Sequence, residues 1–224
     1  MTAYFGFEPS TKLKTDIETI LANLANKVAE PQYHLSNEIA RLFTDEVIDN
    51  LLLNLVGVMQ HHGDSEGGGL LKFLGGLLKT MMHGALKVMM GKADNAEVNK
   101  RADYLRARSL ALPNDIARIG FKLDAETYQH FMNAFTQIES GNGKAVAQEL
   151  VKTMKVFNEA CIVSFFDEFV AVLNLGMINR KGASVTRGLI QKESNSTVEK
   201  LIPSLTDQQF KDFAAYFKAM LVER

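Results

Sequence analysis

Carboxylate and histidine side chains that could carry acid–base chemistry occur in two places. Glu126 and His130 are four residues apart, so a helix would place both on one face. Asp167 and Glu168 lie within an aromatic segment, residues 165–169, where burial could raise a carboxyl pKa and create a general acid. The simpler interpretations are a solvated pair and an acid that points outward from the core. The sequence therefore favours a non-catalytic protein, and no catalytic residue is assigned.

Metal and nucleophile chemistry have weaker support. A di-iron bundle needs paired Glu-x-x-His motifs, which the sequence lacks. His61, His62 and His83, with two methionines beside His83, resemble a soft copper site, but adjacent helical histidines diverge by about 100°. The single cysteine, Cys161, lies on an apolar helix face and is predicted to be a buried, inert thiol. We therefore predict no metal site and no cofactor.

Basic residues form two groups that could bind an anion if the fold brings them together. The first surrounds Tyr104 and is the predicted anion site: Lys100, Arg101, Arg106 and Arg108. The second comprises Arg180, Lys181 and Arg187. The formal net charge is −1, and no helix-turn-helix signature is present. Nucleic acid is therefore not an expected partner.

Residues 67–93 have the most unusual composition in the chain. This segment contains four lysines, one histidine and no acid, together with seven of the 16 glycines and four of the ten methionines. On a helix over 70–91, most of the leucines and methionines form a wide apolar side opposite Lys72, Lys79 and His83, although Leu86 and Met90 point toward the lysine side. Gly76, Thr80 and Gly84 form a row of small residues that would allow another backbone to approach closely.

Three interpretations of helix 70–91 remain open. It could be a central bundle helix, an adaptable surface for an apolar ligand or a partner protein, or a basic amphipathic helix on an anionic membrane. Methionine repacks easily, which favours binding of an apolar small molecule or a protein partner as the function. Membrane-surface association is the alternative, and a homo-oligomer is compatible with either. The predicted ligand-binding residues are Phe73, Leu77, Met81, Met82, Met89 and Met90.

The periodicity of apolar residues predicts an all-α, bundle-like fold of about eight helices without a significant β-sheet. Ser10 or Thr11, Ser36, Asp124, Ser196 and Thr206 are the predicted N-caps, the last two within capping-box patterns. A break at Thr44 and a basic loop or helix start at 179–188 are also predicted. We expect one domain over 1–224, with Gly67–Gly69 as a sub-boundary. With one cysteine and no signal peptide visible at the amino terminus, a cytoplasmic protein is expected.

Overall fold

A computed structural model describes residues 2–60, 65–111 and 117–223 of the chain. The fold is predominantly helical, with eight helical rods and a small four-stranded sheet. The α-helices are α1 (Thr11–Ala25), α2 (Tyr33–Ile48), α3 (Asn54–Gln60), α4 (Ser65–Met89), α5 (Asn95–Arg108), α6 (Ala125–Glu139), α7 (Gly143–Ile162), α8 (Glu168–Ala171), α9 (Met177–Ser204) and α10 (Asp207–Lys218). The predicted all-α class is confirmed.

Two of the eight rods each consist of two α-helices that are joined by a π-helical turn. The first turn, Asp49–Leu53, connects α2 to α3, and the second, Val163–Asp167, connects α7 to α8. In each turn the hydrogen bond spans five residues, from the Asn54 N–H to the Asp49 carbonyl and from the Glu168 N–H to the Val163 carbonyl. The predicted break at Thr44 is wrong, because the irregularity lies one turn later and widens the helix without ending it.

The small sheet was not predicted from the sequence. Its strands are β1 (Ala3–Phe7), β2 (Ser109–Ala111), β3 (Ala117–Lys122) and β4 (Leu221–Glu223), in the antiparallel order β2-β3-β1-β4. Gly6 pairs with Gly120. A Cβ atom on residue 120 would lie 1.9 Å from the Phe5 carbonyl oxygen. The central pair of strands therefore requires glycine at position 120, and Phe5 and Phe121 extend from this pair into the core.

An aromatic cluster joins the sheet to the helices. Phe157 of α7 lies at its centre, with ring centroids 4.9 Å from Phe5, 5.5 Å from Phe131 and 6.1 Å from Phe217. All four side chains are almost completely buried. Offset and edge-on ring pairs of this kind add stability beyond the apolar area that they bury. The cluster fixes α7 against the sheet, α6 and α10.

The helix ends confirm some of the predicted caps and contradict others. Ser10, Asp124 and Thr206 accept hydrogen bonds from the first-turn N–H groups of α1, α6 and α10, and Thr206 with Gln209 forms the predicted capping box. Ser36 and Ser196 are not caps, because they lie inside α2 and α9. Segment 179–188, predicted as a basic loop or a helix start, lies in the first turns of α9, which begins at Met177, so the second alternative agrees with the structure. Gly67–Gly69, predicted as a sub-boundary, lie inside α4.

Candidate binding cavity

An apolar cavity of about 130 Å³ lies inside the helical layer. Its walls come from α2, α3, α4, α7, α9, α10 and both π turns. The lining includes Phe43, Val47 and Ile48 from α2, Leu71, Leu74, Leu78 and Met82 from α4, Met154, Phe157, Cys161 and Ile162 from α7, Ile190, Val198, Leu201 and Ile202 from α9, and Phe213 and Phe217 from α10. Close-packed interiors contain few voids larger than a water molecule, so this cavity is a distinctive feature of the fold.

Both π turns open onto the cavity. Leu51 and Leu52 line it from the first turn, and Phe165 and Phe166 line it from the second. A π turn is rare and often marks a functional site, because its extra residue changes the direction of the side chains. Here each turn presents two consecutive large apolar residues to the same space. The two irregular turns in the described helices therefore converge on one cavity.

The polar part of the lining is small and uncharged. It consists of Thr44, Asn158, Ser194 and Thr197. The Asn158 amide nitrogen donates to the Asn195 side-chain oxygen over 3.2 Å, which holds Asn158 against α9. None of the described lining residues carries a formal charge. This wall can donate to or accept from a hydroxyl or carbonyl, but it cannot neutralise an ion.

Cys161 is part of the wall and is buried. Burial raises the pKa of its thiol well above the ordinary value, because the thiolate would lose its hydration. The side chain is therefore a neutral thiol at physiological pH, and it has the environment of an unreactive core cysteine. This agrees with the inert role expected from the sequence.

The carboxylates that the sequence singled out are held in ion pairs. Asp167 accepts from Arg187 Nε over 2.8 Å, and the same guanidinium pairs with Glu159. Hydrogen bonds to Asp167 and Glu159 raise the pKa of Arg187. Glu168 pairs with Arg108. Both carboxylates that the sequence singled out, Asp167 and Glu168, are therefore engaged by arginine side chains.

The predicted ligand-binding residues of α4 occupy different environments. Met82 lines the cavity, while Met89 and Met90 are buried in the core. Leu77 and Met81 are half-buried, and Phe73 is 67% exposed. The cavity wall is formed instead by the row Leu71, Leu74, Leu78 and Met82, spaced as one helix face. Of the six predicted residues, this row contains Met82 alone.

The basic side of α4 is partly neutralised by α2 and the first π turn. Lys79 Nζ lies 2.7 Å from Asp49 Oδ1, and His83 Nε2 lies 2.8 Å from Asp45 Oδ1. The expectation of a close backbone approach at Gly76 and Gly84 is wrong, because a Cβ at either position would meet nothing within 4 Å. Gly75 is the crowded position, where a Cβ would lie 2.6 Å from Leu53 Cδ2.

The four residues of the predicted anion site point to different surroundings. Lys100 is exposed, and Arg106 pairs with Asp103 on the same helix. Arg101 is buried and donates to Asn37 over 3.2 Å, and burial lowers its pKa. Arg108, which pairs with Glu168, also lies over the Tyr104 ring at 5.6 Å. Two of the four cations are thus paired with acids, and the set does not form a common cluster.

The histidines form no metal centre among the described residues, where no group of three or more potential ligands occurs. His130 Nδ1 lies 3.6 Å from Glu149 Oε1 of α7, across a shallow cleft between α6 and α7. His61 and His62 lie outside the described residues.

Comparisons with protein families, curated proteins and solved structures give no significant match to this chain. Within the part of the chain that the structure describes, no helix is long and apolar enough to cross a membrane.

Proposed function

We propose that this protein binds an uncharged, apolar small molecule in the cavity between α2, α4, α7, α9 and α10. The observation that carries the proposal is the apolar cavity of about 130 Å³ on which both π turns converge. Cavities lined by leucine, isoleucine and phenylalanine stay dry and bind small hydrocarbons, as an engineered cavity of about 150 Å³ binds benzene. Cytoplasmic location, predicted from the sequence, is part of this proposal.

Filling the cavity would be energetically favourable. An empty apolar cavity costs about 24 cal/mol per Å³ relative to a filled one. For an enclosed void of about 130 Å³ this would be on the order of 3 kcal/mol, and because this cavity is partly open the figure is an upper bound. A ligand of matching size recovers part of this through dispersion contacts with the wall. The half-buried Leu51, Leu52 and Ser194 belong to the lining and supply positions where a ligand could enter.

The chemistry of the lining favours a neutral ligand. A carboxylate in this cavity would lose its hydration without meeting a cation, which is far more costly than burying a hydroxyl group. Thr44, Asn158, Ser194 and Thr197 can satisfy one hydroxyl or carbonyl. The proposed ligand class is therefore a hydrocarbon, or an alcohol or ketone of similar size.

The other interpretations of helix 70–91 have less support. Its leucine row faces the cavity, and Lys79 and His83 pair with acids, so membrane association through α4 would use only part of the basic side. Binding of a protein partner through α4 remains a prediction, because no specific surface of this helix supports it. An enzyme is disfavoured because the candidate acids Asp167 and Glu168 are engaged by arginines.

The test compares toluene, benzyl alcohol and benzoate as ligands in thermal melts and titration calorimetry. Toluene at ten times its Kd should stabilise the protein by about 1.4 kcal/mol and raise Tm by about 3–6 °C. Benzyl alcohol should act similarly, while benzoate should have no effect. If toluene leaves both the melting temperature and the calorimetric signal unchanged, the proposal is wrong.

A matched pair of variants on α4 locates the ligand. Leu78 lines the cavity and Leu86 does not, although both are buried to a similar extent. Leu78→Phe should occupy cavity space and abolish toluene binding. Leu86→Phe adds the same side-chain volume where no cavity receives it, at an overpacking cost of about 1–3 kcal/mol, and should retain toluene binding. Equal toluene binding by both variants would place the ligand elsewhere.

A further inference from the structure

The first half of α9 exposes an unusual amount of apolar surface. Among the described residues, eight large apolar side chains are exposed, and four of them lie on this helix. They are Met177, Ile178, Val185 and Leu189, with exposed fractions of 76%, 85%, 64% and 43%. Contiguous apolar groups on a surface mark interaction sites, whereas single ones do not.

Helical geometry places three of these side chains together. At about 100° per residue, Ile178, Val185 and Leu189 point within an arc of about 40°. They span eleven residues, or about 17 Å along the axis. Lys181 and Lys192 lie within about 40° of Val185 on the same side of the helix, and both are exposed. An aliphatic stripe is thus bordered by lysines along one edge.

The charge of this segment has one sign. Residues 176–192 contain Arg180, Lys181, Arg187 and Lys192 and no acid. Arg187 points to Asp167 and Glu159, and Arg180 Nε donates to the Leu175 carbonyl over 2.9 Å. The positive charge beside the stripe therefore comes from Lys181 and Lys192. Met177 opens the helix, and the positive end of its dipole adds to the attraction for anions.

We propose that this α9 patch (Ile178, Lys181, Val185, Leu189 and Lys192) docks on the surface of an anionic phospholipid bilayer. The aliphatic side chains would enter the boundary between headgroups and acyl chains, and the basic side chains would contact the phosphates. A second copy of the chain fits less well. In a twofold dimer the same patch would face itself and bring Lys181 and Lys192 against their counterparts, with Glu193 as the one acid in α9 beside the stripe to offset them. The proposal does not depend on the cavity being a binding site.

Helix α4 provides matched controls. Phe73 and Val88 are as exposed as the α9 residues, at 67% and 65%, and Lys72 and Lys87 are exposed lysines. Phe73 and Val88 are fifteen residues apart, about 22 Å, so they form no continuous stripe. Equivalent substitutions on α4 therefore remove the same side-chain types without changing the α9 patch.

The experiment measures co-sedimentation with phosphatidylcholine vesicles, with and without phosphatidylglycerol, in about 0.1 M and about 1 M salt, where the Debye length is about 10 Å and 3 Å. The parent should bind the anionic vesicles only, and high salt should weaken binding. Lys181→Gln with Lys192→Gln should lower the partition coefficient about 30-fold, about fivefold for each charge. Ile178→Ser with Val185→Ser should lower it by at least about tenfold.

The α4 pairs, Lys72→Gln with Lys87→Gln and Phe73→Ser with Val88→Ser, should each change binding by less than about threefold. All eight positions are exposed, so unchanged melting confirms that each variant is folded. The proposal is overturned if the parent does not bind anionic vesicles, or if the α4 pairs weaken binding as much as the α9 pairs. A dimer in analytical ultracentrifugation that Ile178→Ser with Val185→Ser dissociates, without vesicle binding by the parent, would instead identify a second copy as the occupant.

Discussion

Adjacent glycines in α4 should respond differently to alanine. At Gly76 a Cβ would meet nothing within 4 Å, so Gly76→Ala should stabilise the protein by about 1 kcal/mol through helix propensity alone. At Gly75 a Cβ would lie 2.6 Å from Leu53 Cδ2 and 2.9 Å from Leu53 Cγ. The gain in helix propensity is the same for both substitutions. The difference between the unfolding free energies of the two variants therefore isolates the strain between α4 and the first π turn.

The expected strain is about 1–3 kcal/mol, the usual cost of inserting a methyl group into a packed contact. Leu53 is half-buried and can move outward to some extent, which favours the lower part of that range. Urea denaturation of the two variants, with equal m-values, measures the difference directly. Gly84→Ala, another open position, should behave like Gly76→Ala.

A double-mutant cycle tests the cause. Leu53→Ala removes the crowding atoms, so Gly75→Ala should become about as favourable in that background as Gly76→Ala in the parent. The reasoning is refuted if Gly75→Ala is at least as stable as Gly76→Ala in the parent. It is also refuted if Leu53→Ala leaves the difference between the two variants unchanged.

Three further expectations follow from single side chains. Cys161 should react slowly with a thiol reagent in the native protein, because burial raises its pKa, and toluene should slow the reaction further by occupying the cavity that it lines. Asp124→Ala should cost about 1 kcal/mol of stability near neutral pH; hydrogen bonds from Thr127 lower the Asp124 pKa, so this difference should persist above the unfolded pKa and disappear as pH falls through the folded one. Burial raises the pKa of Tyr216 to about 12. Its contribution to stability should therefore be complete below about pH 10 and decline as pH rises toward 12. Absorbance-monitored unfolding of the parent and of Tyr216→Phe across this pH range measures the decline.

Local signals predicted helix starts where no distant contact competes. Asp124 and Thr206 each cap a helix through bonds within three residues. Ser36 failed because α2 begins earlier, at Tyr33, where the Gln32 backbone N–H is bonded to the Asn95 side chain across 63 residues of sequence. Ser196 failed because α9 continues through it. A capping pattern cannot indicate whether a helix already precedes it.

The π turns could not be predicted for a different reason. Residues 51–53 are all leucine, so an apolar side chain faces the core whether the turn contains the usual number of residues or one more. Residues 163–167 include two consecutive phenylalanines with the same effect. The short strands were missed because β1 and β3 have few residues and carry glycine at their paired centre. In each case tertiary packing selects among local states that the sequence leaves nearly equivalent.

The sequence predicted a helix at α4, but it did not indicate the exposed apolar side of α9. The composition of residues 67–93 directed attention to α4, which does line the cavity, but its leucine row is buried and its basic side is partly paired. In α9 the hydrophobic period is weak, because one side of the helix lines the cavity and another keeps aliphatic residues in solvent. Apolar residues on two faces cancel in a periodicity analysis and resemble a loop. A helix with little amphipathic signal can therefore carry apolar residues on two sides, and only the packing of its neighbours reveals which of them remain exposed.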